Sequence, residues 1–331
     1  MTEKWQKGKA MNRTLFILGG TGFIGHETII QALQAEWQVK ALARSEESAK
    51  KMQQMGAHPV IGDMYQPQAW IAQAQGATAL IDLTQPKLPQ RVSRSAMESL
   101  STQRQAMTRS VLDALKSLSA QERPVFFSVS SADDLEPDAH GVISHRSRLS
   151  TKLHGFAHIG VPVRKLVEAS GLDATYVYLA SLVYGPGKLF VDVYVTGLKK
   201  GSAHVTGKGT NRLTLVHVTD AARAIVHLAG LPRKSIVDHL FLAMDGAGTT
   251  QRALLNDTAM YMGVKKPGTV PAWLAALIVG PILVETITFN AQADNSSLQE
   301  TGFHFLYPSH REGVPATLAE LGYAPANVQL A

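Results

Sequence analysis

Short runs of apolar residues alternate with amphipathic stretches through the first half of the chain. The first run, Thr14–Leu18, ends in two glycines, and apolar residues then recur at helical spacing over residues 22–35. A short apolar run bounded by glycine is typical of a buried strand, whereas apolar positions three or four residues apart are typical of a helix. The pattern therefore predicts a strand, a tight turn and a helix at the start of the fold.

Further apolar runs follow, and helix-like stretches separate most of them. The runs are residues 39–43, 59–61, 79–83, 125–129 and 175–179, and helical patterns include residues 107–118 and 163–169. Strands that alternate with helices form βαβ units, which assemble into a mainly parallel sheet. We therefore predict an α/β fold, a Rossmann-type doubly wound parallel sheet.

The alternation loosens in the second half of the chain, and from Thr249 onward the pattern is mostly helical. We expect residues 183–213 and 246–331 to form a smaller, substrate-covering lobe over the carboxyl ends of the strands, where ligands bind in open α/β sheets. The Rossmann core should span residues 13–182 and be completed by about 214–245. Residues 1–12 are polar and basic, and we interpret them as a flexible tail.

Composition narrows the function classes. Of the 331 residues 45% are hydrophobic and 18% are charged, which is typical of a globular protein. The formal charge of +6 is scattered along the chain, which favours an anionic ligand over nucleic acid, because a nucleic-acid binder concentrates its basic residues. The absence of cysteine excludes disulfides, thiolate zinc sites and cysteine nucleophiles, and it is compatible with the cytoplasmic location that we expect.

Residues 270–284 form the most apolar stretch of the chain. Pro271, Gly280 and Pro281 interrupt it, and it is shorter than the roughly 20 residues that a membrane helix needs. No integral membrane span is therefore expected. We interpret the stretch as a buried or interface helix, with a homodimer face and peripheral membrane contact as alternatives.

The glycines of the first turn are spaced as in dinucleotide-binding proteins. Gly19, Gly22 and Gly25 follow the first predicted strand and open the first predicted helix. Such glycines permit a tight turn, close approach of a pyrophosphate and packing of the helix on the strand. We predict that this turn and the neighbouring strand ends bind the cofactor through Gly19, Thr21, Gly22, Phe23, Ile24, Gly25, Arg44, Asp63, Met64, Leu83 and Thr84.

Arg44 bears on the choice between NAD and NADP. It ends the second predicted strand, where NAD-preferring proteins usually carry an acid that binds the ribose 2′-hydroxyl. A guanidinium there can pair with a 2′-phosphate, so we predict NADP. A solvated charge at a strand end is the alternative. Asp63 could accept a hydrogen bond from the adenine amino group, or it could simply belong to a turn.

From Arg13 to Tyr323 the chain resembles the extended short-chain dehydrogenase/reductase family, which includes NAD(P)-dependent epimerases and dehydratases. Besides the glycine turn, the resemblance rests on residues 62–63, 130–131, 170–172, 182–187, 216–220 and 307–313. It implies hydride transfer assisted by a serine after the fifth strand and by a tyrosine and lysine, spaced YxxxK, on the next helix. Ser131 falls at the serine position, and Arg104 stands roughly where members often carry an asparagine.

The tyrosine–lysine pair is missing, because no YxxxK occurs between Ser131 and Ser170. His154 and His158 have the same i, i+4 spacing, and histidine can exchange protons near neutral pH since its ordinary pKa is about 6.5. We therefore name Ser131, His154 and His158 as candidate catalytic residues. Proline favours the first turn of a helix, so we expect the helix to begin near Pro162 and both histidines to lie in a loop. No metal site is expected, because no third ligand lies nearby in the sequence.

Three functions fit these observations. The first is an NADP-dependent oxidoreductase or epimerase-like enzyme with a non-standard proton donor and a small hydroxyl or carbonyl substrate. The apolar residues 272–284 favour a lipophilic substrate over a nucleotide sugar. The second is a non-catalytic NADP(H)-binding sensor or partner-binding protein, similar to the NmrA-like branch, which has lost the catalytic tyrosine. The third is a non-redox enzyme on the same fold.

Overall fold

The computed structural model describes residues 13–89, 91–187 and 190–323, so the predicted tail, residues 1–12, lies outside the described residues. Helices and strands alternate through the first half of the chain. Its elements are β1 (Thr14–Leu18), α1 (Phe23–Gln34), β2 (Gln38–Ala43), α2 (Glu46–Gln54), β3 (His58–Ile61), β4 (Ala79–Asp82), α3 (Arg94–Lys116), β5 (Val125–Ser131), β6 (Val142–Ile143), α4 (Ala157–Ser170) and β7 (Ala174–Leu179).

The second half contains shorter strands and more helices. Its elements are β8 (Leu182–Tyr184), a π-helical segment (Phe190–Val195), α5 (Thr196–Lys200), β9 (His204–Thr206), β10 (Leu215–His217), α6 (Val218–Ala229), β11 (Leu240–Ala243), α7 (Gln251–Tyr261), β12 (Gly268–Val270), α8 (Ala272–Val279), α9 (Pro281–Thr288), β13 (Gln292–Ala293), α10 (Ser296–Gln299) and α11 (His310–Glu320).

A seven-stranded parallel sheet forms the centre of the molecule, in the order β11-β7-β5-β4-β1-β2-β3. Four residues of the central strand β1, Leu15 to Leu18, are fully buried. This burial explains why the strands appear in the sequence as continuous apolar runs, since helices cover both faces of a parallel sheet. The strand order reverses at β1, which opens a crevice at the carboxyl ends of β1 and β4. The predicted Rossmann-type α/β fold is confirmed.

A second cluster of buried apolar side chains lies apart from the core of the sheet. It includes Tyr184 from β8, Phe190 from the π-helical segment, Leu254 from α7 and Val314 from α11. These elements come from the parts of the chain that were expected to form a smaller lobe. On this basis we propose the division into a Rossmann core, completed by residues 214–245, and a substrate-covering lobe.

Helix α4 begins at Ala157 and contains Pro162 in its interior, so the predicted start near Pro162 is wrong. His158 accordingly lies in the first turn of α4 and not in a loop, whereas His154 precedes the helix. A proline inside a helix leaves the carbonyl four residues earlier without its donor, here that of His158. The Ser101 hydroxyl of α3 donates to this oxygen at 2.6 Å. A contact with a second helix thus replaces the missing hydrogen bond.

The apolar stretch 270–284 forms two short helices, α8 and α9, that meet at Gly280. Gly280 has φ +92° and packs against the backbone of Val92, where a Cβ would lie 2.5 Å from the carbonyl oxygen. Helix α9 buries Ile282 and Val284, but most large side chains of α8 are exposed. Of our two interpretations, a buried or an interface helix, the buried one is therefore wrong for α8, and the interface one stays a prediction. Within the described ranges no helix is both long and apolar enough to cross a membrane.

Asp245, just after β11, is a buried carboxylate with few partners. It is 3% exposed, and one oxygen accepts a hydrogen bond from the Ala247 amide at 3.1 Å. The other oxygen has no partner within the described residues. Burial raises the pKa of Asp245 to about 7. Between its ordinary pKa of about 4 and this value, the folded protein keeps a proton that the unfolded chain has lost, so the contribution of Asp245 to stability falls as the pH rises.

We expect Asp245→Asn to stabilise the protein at pH 8 by on the order of 2 kcal/mol, because the amide is neutral and can still accept from Ala247. The gain should shrink at pH 5.5, where the native carboxyl is already protonated. Urea unfolding at the two pH values measures both effects, with Asp113→Asn on the exposed surface of α3 as the control. An Asp245→Asn effect of equal size at both pH values would contradict this assignment.

Candidate functional site

The turn between β1 and α1 depends on glycine at two positions. Gly19 has φ +83°, and a Cβ there would lie 2.8 Å from the Leu83 carbonyl oxygen at the end of β4. A Cβ at Gly25 would overlap the carbonyl oxygen of Gly19. The first glycine therefore lets the turn approach β4, and the second lets α1 pack against the turn. Both roles agree with those expected from the glycine spacing.

The N-terminus of α1 is open to an anion. Gly22 is its N-cap residue and supplies no capping side chain, and the first turn holds no acidic residue. The first amides of a helix have no partners within the helix, so those of Phe23, Ile24 and Gly25 are left for an external acceptor. The helix dipole adds partial positive charge at the same place. A dinucleotide pyrophosphate fits this combination.

Arg44 is exposed immediately after β2, and no carboxylate in the described part of the chain forms an ion pair with it. The next residue, Ser45, caps α2 by accepting a hydrogen bond from the Ser48 amide, and Glu46 lies in the first turn of α2. Glu46 therefore belongs to the start of α2, and the Arg44 guanidinium can pair with an anion.

The remaining predicted cofactor contacts lie at the ends of β3 and β4. Asp63 accepts a hydrogen bond from the Tyr65 amide at 2.6 Å, which is a turn contact, and the Met64 side chain packs in the core of the sheet. Leu83 touches the glycine turn through its backbone. The amide and hydroxyl of Thr84 donate to one oxygen of Asp82, at 3.1 and 2.5 Å.

Asp82 and Arg104 form a buried ion pair behind this strand end. Their nearest atoms, Oδ2 of Asp82 and Nη2 of Arg104, are 2.8 Å apart, and the two side chains are 1% and 6% exposed. Arg104 also donates to the Thr108 hydroxyl at 2.6 Å. Arg104 therefore holds the Asp82 carboxylate in place, and this carboxylate in turn holds Thr84 through two hydrogen bonds. The arginine that stands roughly at the asparagine position of the family neutralises a buried carboxylate.

Ser131 ends β5 and is connected to its surroundings through Asp133. The Ser131 hydroxyl donates to Oδ1 of Asp133 at 3.4 Å, and the Ser181 hydroxyl donates to the same oxygen. Oδ2 accepts from the Phe156 amide at 3.1 Å and from the Thr286 hydroxyl at 2.9 Å. Asp133 is fully buried, so these donors replace its hydration. One carboxylate thereby joins β5, the entry to α4, the end of β7 and α9.

Sequence reasoning missed Asp133. The only local signal is its position, two residues after Ser131 in the short helical turn Ala132–Asp134. Acids at such strand ends are commonly turn residues. Three of the donors, at residues 156, 181 and 286, are distant in the sequence, so no local spacing marks the site.

The adjacent carboxyl group, Asp134, is in a different electrostatic state. It is fully buried and accepts from the Ser130 hydroxyl at 2.6 Å, while its Oδ1 atom has no partner within the described residues. Burial raises the pKa of Asp134 well above its ordinary value, and the nearby charge of Asp133 adds to this shift. Gly160 of α4 packs directly against it, because a Cβ at Gly160 would overlap both carboxyl oxygens.

His154 and His158 each bury an Nε2 atom that has no hydrogen-bond partner among the described residues. Nδ1 of His154 is 3.3 Å from the Lys152 carbonyl oxygen, and its ring centre is 4.6 Å from that of Phe289. Burial lowers the pKa of His158, and the charge of Glu285 partly offsets this effect. The neutral imidazole of His158 is therefore favoured at neutral pH.

The structure brings the His154 segment towards Ser131 through the backbone. Phe156 donates to Asp133, and the Gly155 amide donates at 3.0 Å to Glu285, which also pairs with Arg94 at 2.7 Å. Within the described chain, neither imidazole forms a hydrogen bond with Ser131. Helix α4 contains no tyrosine, and no group of three or more metal-ligating side chains occurs among the described residues.

The described geometry has counterparts in known proteins. Residues 19–212 match the family described as NAD(P)H-binding. An uncharacterized protein of Schizosaccharomyces pombe is 28% identical over 227 residues, which cover 64% of this chain and 69% of that protein. The sterol-4-alpha-carboxylate 3-dehydrogenase (decarboxylating) of Dictyostelium discoideum is 35% identical over 69 residues, only 21% of each chain.

Solved structures share the fold at low sequence identity. The human epimerase family protein SDR39U1, solved with NADPH, has a TM-score of 0.75 and 15% identity, over 92% of this chain and 99% of that one. A nucleoside-diphosphate-sugar epimerase from Pseudomonas aeruginosa has a TM-score of 0.74 and 14% identity, over 95% and 99% of the two chains. The family match covers more than half of the chain. This protein therefore belongs to the NAD(P)H-binding family, and it shares its fold with the epimerase structures named above.

Proposed function

We propose that this protein is an NADP-dependent oxidoreductase or epimerase-like enzyme that acts on a small, apolar hydroxyl or carbonyl compound. One observation carries the proposal. The Ser131 hydroxyl, at the carboxyl end of β5, and the Phe156 amide, two residues after His154, both donate to Asp133. The buried Nε2 atom of His154 has no hydrogen-bond partner within the described residues. Buried polar atoms without partners are uncommon, and they concentrate where a ligand or a reaction uses them.

The proposed cofactor site comprises the glycine turn and the ends of the neighbouring strands. The amides at the start of α1 would hold the pyrophosphate, and Arg44 would pair with the 2′-phosphate of NADP. Asp63 would accept from the adenine amino group through an oxygen that the Tyr65 amide does not use. The full set is Gly19, Thr21, Gly22, Phe23, Ile24, Gly25, Arg44, Asp63, Met64, Leu83 and Thr84.

The catalytic roles follow from the hydrogen-bonding capacity of each group. When bound, NADP(H) supplies or accepts the hydride. With its proton donated to Asp133, the Ser131 oxygen would accept a hydrogen bond from a substrate hydroxyl; towards a substrate carbonyl, the hydroxyl would turn from Asp133 and donate. If Nδ1–H of His154 donates to Lys152, then Nε2 carries a lone pair and can take a proton from a substrate hydroxyl or, once protonated, return it. His158, kept neutral by burial, is the second candidate for this proton exchange.

A second candidate function is an NADP(H)-binding sensor without turnover. Two observations favour it. Helix α4 contains no tyrosine. The Thr286 hydroxyl of α9 donates to Asp133, the same carboxylate that Ser131 contacts, so α9 packs where a substrate would need room. In a sensor, the same glycine turn would bind the dinucleotide, and α9 would remain packed over the strand ends.

The cofactor preference is tested with Arg44→Ala. A charged hydrogen bond to phosphate contributes about 1.5–3 kcal/mol, so the native protein should bind NADPH roughly 10- to 100-fold more tightly than NADH, and the variant should lose most of this preference. Titration of both nucleotides by isothermal calorimetry measures the ratio. Lys50→Ala, an exposed lysine of α2, should leave it unchanged. Equal affinities in the native protein would show that Arg44 binds no 2′-phosphate.

The reaction is tested by turnover of NADPH or NADP⁺ with a panel of apolar ketones, aldehydes and secondary alcohols. Ser131→Ala and His154→Gln should each lower kcat by roughly 100-fold or more, because each removes a group that bonds the substrate oxygen or transfers its proton. The controls are Ser130→Ala, which removes the neighbouring hydroxyl that bonds to Asp134, and His145→Gln on the surface. Tight dinucleotide binding without turnover of any substrate would favour the sensor.

A further inference from the structure

Helix α8 presents large apolar side chains to solvent. Trp273 and Ile278 are each 68% exposed, Leu277 is 60% exposed and Leu274 is 37% exposed. Residues spaced four apart lie on the same face of a helix, so these side chains form one continuous stripe, while Ala275 is buried against the protein. Scattered exposed apolar residues are ordinary, but a contiguous patch marks an interaction surface.

Exposed basic residues precede α8 in the chain and adjoin its C-terminal end. Lys265 and Lys266 are exposed just before β12, which leads directly into α8. At the other end, the Val279 carbonyl accepts a hydrogen bond from the Val92 amide at 3.4 Å, and the adjacent Arg91 is exposed. No acidic residue occurs in the sequence from 258 to 284.

Two acids, Glu285 and Glu98, lie on α9 and α3, and an ion pair neutralises the first. Glu285, in the middle of α9, is paired with Arg94 at 2.7 Å. Glu98, one turn further along α3, is exposed and lies close enough to His158 to influence its charge. Lys87, in the segment before α3, is a further exposed base. The surroundings of α8 therefore combine an apolar stripe with a surplus of basic groups.

We propose that α8 docks this protein onto an anionic lipid bilayer. The apolar stripe would enter the boundary between headgroups and acyl chains, and the flanking bases would lie over anionic headgroups. Trp273 suits this position, because indole rings prefer the membrane–water interface. An eight-residue helix is about 12 Å long, so α8 would lie in the surface and would not cross the bilayer.

Charge favours a bilayer over a second copy of this chain as the occupant. A two-fold dimer through α8 would bring together the same surface from each copy, with Lys265 and Lys266 on both sides. Like charges brought together in this way oppose association. An anionic surface complements the bases and covers the stripe at the same time. The inference does not rest on the proposed reaction, because it depends only on the surface of α8.

Co-sedimentation of the full chain with vesicles tests the proposal. Vesicles of phosphatidylcholine mixed with an equal amount of phosphatidylglycerol should bind the protein, and rising salt should weaken the binding. Vesicles of phosphatidylcholine alone should bind it less. In a Trp5→Phe background, the tryptophan emission should shift to shorter wavelength on binding through Trp273, since Trp37 and Trp70 are already buried. Quenching by brominated lipid reports insertion of the indole ring directly.

Variants separate the apolar and electrostatic parts. The double variant Leu277→Ser/Ile278→Ser should lower the partition coefficient by about tenfold or more, and Lys265→Gln/Lys266→Gln should lower it by roughly tenfold on anionic vesicles only. The matched controls are Val193→Ser, which is 50% exposed in the π-helical segment, and Lys234→Gln, also on the surface. Circular dichroism confirms that each variant is folded.

Three results would overturn the proposal. The native protein could fail to bind either kind of vesicle. The native protein and the Leu277→Ser/Ile278→Ser variant could bind anionic vesicles equally well, in which case another surface is responsible. Analytical ultracentrifugation could also reveal a stable dimer that Leu277→Ser/Ile278→Ser dissociates, which would identify a second copy of the chain as the occupant of α8.

Discussion

The candidate site is organised around the buried carboxylate of Asp133. An ionised carboxyl group removed from water needs full compensation by hydrogen bonds or opposite charge. Here the donors are three hydroxyls and one amide, from Ser131, Ser181, Thr286 and Phe156. They belong to separate parts of the chain, so the carboxylate fixes those parts relative to one another. A Cβ at Gly155 would overlap both Asp133 and Thr286, and this glycine is therefore part of the same constraint.

The two adjacent acids differ in how many hydrogen-bond donors they have. Among the described residues, the Asp133 carboxylate has four donors, whereas the Asp134 carboxyl group has the Ser130 hydroxyl alone. Burial and the proximity of Asp133 both raise the pKa of Asp134, so its neutral form is favoured. Gly160 gives Asp134 room beneath α4. The helix on which the family resemblance implies a tyrosine and a lysine thus packs here against a pair of adjacent acids.

Local chemistry explains which features the sequence could predict. The strands of the sheet could be predicted because burial on both faces makes them continuous apolar runs. The glycine turn could be predicted because seven consecutive residues determine its geometry. The start of α4 was not visible, since the Ser101 hydroxyl that compensates for Pro162 comes from α3. Asp133 was missed for a related reason. Its importance lies in partners such as Thr286, which only the folded chain brings near.

The proposed membrane surface and the proposed catalytic site are joined by one short stretch of chain. Helix α8 faces outwards, and α9 follows it after Gly280, whose positive φ and close approach to Val92 fix the bend between them. Helix α9 contacts the site directly, through Thr286 on Asp133 and Glu285 on the Gly155 amide. A bilayer that held α8 would therefore hold the strand ends close to the lipid. The link from α8 to the carboxylate that orients Ser131 therefore runs through α9 and Thr286.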